Sequence, residues 1–158
     1  MDNDELQWLL DRAHISDTVL RYATAVDTHN WELFRSCFTD EIELSGFPVF
    51  GKEAQKVAID TWAENVHKIV GGYKATQHMI TNHVITINGD EATCVAYLQA
   101  QHFLPTRYGS NSYIMGGYYT FTLVRISDSW KICKFDLTIT WTDGNSGLHS
   151  QAEKNLHN

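Results

Sequence analysis

Two polar residues carry the chemistry that this sequence could perform: Asp27, in "YATAVDTHNW", and His78, in "TQHMITN". A histidine is the natural general base near neutral pH. A buried carboxylate bonded to its far ring nitrogen would fix the tautomer and stabilise the imidazolium formed when the ring takes a proton. An aspartate on an apolar helix face needs such a partner to offset its loss of water. Each residue also has a plainer explanation: Asp27 as a turn or cap residue before "NWELF", His78 as a structural or surface histidine of a strand. A pairing between them accounts for both at once.

Other candidates are weaker. His78 shares its strand parity with Ile80, Asn82 and Val84, so Asn82 would point into any cavity that His78 faces; His83 has the opposite parity and is not expected to share a metal with His78. Arg125 has the parity of Tyr119, Phe121 and Leu123, and either reaches a cavity to meet Asp27 or an anionic substrate group, or sits at its strand end beside Asp128. Nucleotide loops, nucleophile elbows and zinc-binding helices have no counterpart in this chain. The expectation is an enzyme without metal, nucleotide, flavin or other cofactor.

The elements that must position these groups change character along the chain. Residues 4–28 read as one helix. At ~100° per residue, Trp8, Leu9, Ala13, Ile15, Val19, Leu20, Tyr22, Ala23 and Val26 fill one arc, and Asp27 falls within ~20° of Leu20. Asp11 lies outside the arc. "HNWELFRSCF" predicts a short second helix capped by Asn30, "DEIELSG" a short strand closed by Gly46 and Pro48, and residues 51–72 a third helix ended by Gly71 and Gly72. The period then falls to two. Strands over 73–87 and 91–104 meet at "NGD", and strands over 113–126 and 130–141 meet at "SDS". Gly116 and Gly117 mark a bend or bulge. Helices first and long antiparallel strands later give an α+β fold, three helices under a strongly curved sheet. Residues 1–145 form a single domain, and the polar segment 146–158 is expected to fray.

Composition narrows the partners. The chain has 158 residues, a net charge of −7 and a pI near 5.5, which argues against nucleic acid and against an anionic membrane surface. Cys37, Cys94 and Cys133 are widely spaced and show no zinc or disulfide pattern, which suits a reducing, cytoplasmic setting. The acidic start "MDNDELQWLL" does not read as a signal peptide, and nothing approaches the ~20 apolar residues of a membrane span. Aromatic residues reach 12%. They either fill the core or line a pocket for a flat apolar ligand.

Three stretches together resemble the SnoaL-like branch of the nuclear-transport-factor-2-like superfamily: "YATAVDTHNWELFRSCF", "TQHMITNHVITINGDEAT" and "GGYYTFTLVRISDSWKICKFDLTITWTDGN". The resemblance spans roughly residues 5–145. It implies a cone-shaped α+β barrel with a deep apolar pocket, commonly in a homodimer or homotrimer packed through the outer sheet face. In the hexachlorocyclohexane dehydrochlorinase and scytalone dehydratase members, an Asp–His pair in that pocket abstracts a proton and a leaving group departs; Asp27 and His78 match those positions, and His102 is a loose candidate for a second histidine. The resemblance therefore implies cofactor-free acid–base catalysis by a dehydratase, isomerase or cyclase. The substrate would be a small hydrophobic molecule of secondary metabolism, a polyketide, terpenoid or steroid. Tyr22, Trp31, Trp62, Tyr113, Met115 and Tyr119 are the expected pocket walls. The same fold also serves non-catalytic small-molecule binders and the structural subunit of ring-hydroxylating oxygenases, so fold alone leaves those alternatives open.

Overall fold

The computed structural model describes residues 2–47 and 53–157. Helix α1 (Asn3–Asp27) is opened by a capping box in which the Asp2 side chain accepts from the Glu5 amide and the Glu5 side chain accepts from the Asp2 amide. A short helix α2 (Trp31–Ser36) follows, capped by Asn30. Strands β1 (Phe38–Ser45) and β2 (Gln55–Ala58) form an antiparallel pair, and helix α3 (Ile59–Val70) starts directly from β2. Four long strands then run as β3 (Ala75–Asn88), β4 (Glu91–Phe103), β5 (Ser112–Ile126) and β6 (Ser129–Gly144), before a last helix α4 (Leu148–Asn155). The sheet order is β2-β1-β6-β5-β4-β3. Among the described residues only the β1–β6 contact is parallel, so the sheet is mixed, with antiparallel pairing dominant.

The helices pack against the concave face. Ile15, Val19, Tyr22 and Val26 of α1 meet Phe121, Leu123, Phe135 and the buried alanines of β4 in one core. Aromatic residues hold its centre: the Tyr22 ring lies 5.0 Å from Phe135 and 5.8 Å from Phe34, mostly edge to face. Curvature comes from register shifts between Thr81 and Val84 and between Gly116 and Gly117. A Cβ on Gly116 would collide with the Trp141 indole, and one on Gly117 with the Thr138 carbonyl, so both glycines allow a close approach of β6.

Four expectations change. The third helix is shorter than residues 51–72, because Gln55–Ala58 pairs with β1 and gives that strand its outer partner; Pro48, Gly51 and Lys52 lie outside the described residues. The inward arc of α1 centres on Ile15, Tyr22 and Val26 and takes in Asp11, Thr18 and Ala25, while Trp8, Leu9 and Leu20 are 50%, 47% and 42% exposed. The parity of β3 does not persist, since the bulge after Thr81 turns His83 inward to meet Ser16 (Oγ to Nδ1, 2.8 Å) and leaves Val84 65% exposed. The segment after Asn145 is not frayed: Leu148 and Ala152 of α4 are buried against Tyr73 and Leu104. Gly72 permits that contact, because a Cβ there would strike the Ala152 carbonyl. No helix among the described residues is long and apolar enough to cross a membrane.

Candidate active site

Asp27 is the last residue of α1, where the helix ends against β3. Its carboxylate accepts three hydrogen bonds from that strand. The His78 backbone N–H donates to Oδ2 at 2.7 Å, the Thr76 hydroxyl donates to Oδ1 at 2.9 Å, and His78 Nδ1 lies 2.7 Å from Oδ1. The side chains are largely withdrawn from solvent, with 20% of Asp27 and 7% of His78 exposed. Burial works to raise the Asp27 pKa, but the hydrogen bonds and charge of His78, helped by Thr76, outweigh it and hold the carboxyl below its ordinary value. An ionised carboxylate can only accept, so Nδ1 of His78 carries a proton; in the neutral ring Nε2 then keeps its lone pair.

His78 lines a cavity of about 340 Å³ enclosed by α1, α3, α4 and the concave face of the sheet. The walls are mainly apolar: Val26, Trp62, Val66, Val70, Leu137 and Ile139 stand among them. The volume and lining suit a small apolar molecule. Polar groups enter at few points. His102, on β4, is 1% exposed with its ring 6.0 Å from that of His78; burial, with the neighbouring His78 and His149 rings adding to it, pushes its pKa down to about 4 and keeps it neutral. Burial likewise raises the Tyr22 and Tyr119 phenols well above their ordinary value.

Of the residues singled out in the sequence, Tyr22, Trp62, His78, His102, Tyr113, Met115 and Tyr119 line this cavity, and Asp27 stands behind His78. Three stand elsewhere. Trp31 opens α2 and stacks on His29, with ring centres 5.9 Å apart, and is nearly perpendicular to the His67 ring. Asn82 occupies the β3 bulge with φ of 57°, a left-handed conformation that asparagine tolerates better than most residues, and its side chain is exposed. Arg125 lies at the end of β5, where its guanidinium grips both oxygens of Asp11 (2.6 and 2.7 Å) and Oδ1 of Asp90 (2.9 Å). It does not meet Asp27 or the cavity, and its partner is not Asp128.

One histidine of the lining escaped the sequence reading. His149, near the start of α4, enters the cavity, and its Nδ1 pairs with the Tyr73 hydroxyl across 2.6 Å. The signal was the four-residue spacing of Leu148 and Ala152, enough for one buried turn of helix within an otherwise polar segment. Among the described residues no group of three or more His, Cys, Asp or Glu side chains is placed to hold a metal ion. All three cysteines are free.

Residues 7–136 match the family model of the SnoaL-like domain. No curated protein sequence matches the chain significantly. Among solved structures, the Kfla4162 protein of Kribbella flavida is 30% identical, with a TM-score of 0.83, over 89% of this chain and 97% of its own. The hexachlorocyclohexane dehydrochlorinase LinA-type3 of Novosphingobium barchaimii is 20% identical at a TM-score of 0.75, over 92% and 97%. A protein provisionally described as a scytalone dehydratase, from Novosphingobium aromaticivorans, is 22% identical at a TM-score of 0.74, over 87% and 89%. The last two likenesses establish the shared fold. The extent of the domain match and the Kribbella relative establish more: the chain belongs to the SnoaL-like family, within the nuclear-transport-factor-2-like superfamily.

Proposed function

We propose that the protein is a cofactor-independent acid–base enzyme, a dehydratase, isomerase or cyclase, acting on a small hydrophobic molecule. One observation carries this reading: a carboxylate bonded to Nδ1 of a histidine that faces an apolar cavity. His78 Nε2 takes a proton from a carbon next to an activating group. Asp27 holds the ring in the reactive tautomer and stabilises the imidazolium as it forms. The apolar walls strengthen that stabilisation by excluding water. Loss of a leaving group, a double-bond shift or ring closure would follow from the same carbanionic species. Proteins of the same fold include ones described as a dehydrochlorinase and a scytalone dehydratase, and proton removal is the step such eliminations share.

The base can be tested before the natural substrate is known. β-Tetralone is small, uncharged and carries an acidic benzylic hydrogen. In deuterium oxide the wild-type protein is expected to accelerate exchange of that hydrogen, read by proton NMR. His78→Ala is expected to lower the protein-dependent rate by about a hundredfold or more, with an unchanged circular dichroism spectrum. Equal rates for the two proteins would remove His78 from the mechanism.

A further inference from the structure

The cavity holds a second histidine wired in the opposite sense to His78. His149 is carried by α4, and its position is firmly set. Leu148 and Ala152 on either side are buried, Asn155 Nδ2 donates to the Gly72 carbonyl at 3.1 Å, and Gln151 Nε2 donates to the Pro105 carbonyl at 3.3 Å. The ring packs edge-on to Tyr113, with centres 4.4 Å apart, and lies 6.2 Å from His102. Behind it, the partner of Nδ1 is a phenol and not a carboxylate: Tyr73 Oη, at 2.6 Å.

That difference decides the proton's place. Burial pushes the Tyr73 phenol up to about 12 and lowers the His149 pKa, so both groups are neutral at neutral pH. A phenol is a better donor than acceptor, and a neutral imidazole nitrogen is the better acceptor of the two. The Tyr73 O–H therefore donates to Nδ1, and the His149 proton sits on Nε2. In its neutral form His78 has its proton on Nδ1 and presents a lone pair. His149 has its proton on Nε2 and presents a donor.

We propose that His149, with its tautomer set by Tyr73, is the residue that binds an uncharged oxygen function of the substrate, a ketone carbonyl or a hydroxyl, in the cavity served by His78. The class of ligand follows from what lines the site. Among the described residues no lysine or arginine faces the cavity, so a carboxylate or phosphate would enter without a counter-charge. A neutral oxygen needs only a neutral donor. Held there, a carbonyl would be polarised beside the carbon from which His78 removes its proton, as a neutral imidazole can do for a developing enolate. Tyr73 is a positioning residue that acts through His149. The assignment rests on this cavity being the substrate site.

The test uses the full chain with β-tetralone and tetralin, the hydrocarbon of nearly the same shape. Binding of each is measured by ligand-observed NMR, and the ring tautomers by long-range proton–nitrogen correlation of labelled histidines. The wild type is expected to show His149 as the Nε2–H tautomer and to prefer the ketone over the hydrocarbon by about tenfold, the worth of one buried hydrogen bond. His149→Phe is expected to abolish that preference while still binding tetralin. Tyr73→Phe, a milder change that keeps the ring, is expected to shift His149 to a mixture of tautomers and to weaken the preference. A His149 protonated on Nδ1 in the wild type, or a ketone preference that survives His149→Phe, would overturn the proposal. Deuterium exchange separates it from the base assignment: His78→Ala lowers the protein-dependent exchange and leaves the ketone preference, whereas His149→Phe removes the preference whatever becomes of exchange.

Discussion

Helix α1 withdraws two carboxylates from solvent, Asp11 in its first half and Asp27 at its last residue, and the two are put to different uses. Asp11, 3% exposed, is closed on every side: Arg125 grips both its oxygens, Trp130 Nε1 donates at 3.1 Å, and the Arg125 guanidinium lies 4.5 Å over the Trp130 ring. Asp27 accepts three hydrogen bonds, but one comes from the ring of a histidine that lines an apolar cavity. Arginine keeps its proton at any pH a protein survives, so the Asp11 cluster can only fasten α1 to the end of β5 and the start of β6. Histidine gains and loses its proton near neutrality. The partner's chemistry, and not the burial of the carboxylate, separates a fastener from a candidate catalytic pair.

The contrast can be broken in order of effect. Asp27→Asn is expected to slow β-tetralone exchange by roughly ten- to a hundredfold, while Asp11→Asn leaves exchange per folded molecule unchanged. Parallel rate measurements on the two variants check this, and an equal loss from both would erase the distinction. Arg125→Ala is expected to reverse the ranking: it strands a buried carboxylate and should cost about 3 kcal/mol of stability by urea unfolding, with exchange intact below the transition. A milder effect concerns acid. The Arg125 and Trp130 bonds, with that from Gln7, overcome burial and hold Asp11 at about 2, down from 3.8. A folded pKa below the unfolded value gives stability that is present above the unfolded pKa and lost as pH falls through the folded one. Wild-type stability is therefore expected to decline from about pH 4 towards pH 2, and that slope should be shallower in Asp11→Asn, as read from unfolding midpoints at each pH.

Period and turn signals made most of the fold legible. The two-residue alternation of the last four strands, the glycine turn at Gly89 and the capping Asn30 each specify their structure locally. What depended on distant partners was less visible. Gln55–Ala58 is a strand because β1 lacks any other neighbour on that side. Asp11 reads as a surface residue until Arg125, 114 positions later, is folded against it. Parity alone places Asn82 in the cavity with His78, but parity carries along a strand only while no bulge intervenes. The site itself divided the same way. Asp27 and His78 stood out as polar residues on apolar faces. His149 did not, since its place in the cavity depends on α4 docking beside Gly72.

The claim that Asp27 acts through His78 is tested most directly by a double-mutant cycle on the exchange rate. Wild type, Asp27→Asn, His78→Ala and the double variant are compared at one pH with β-tetralone. The account predicts that Asp27→Asn slows exchange when His78 is present and has no further effect once His78 is alanine, because two residues that work as a unit are not additive. The same fractional loss in both backgrounds would show the two acting independently and would contradict the pair.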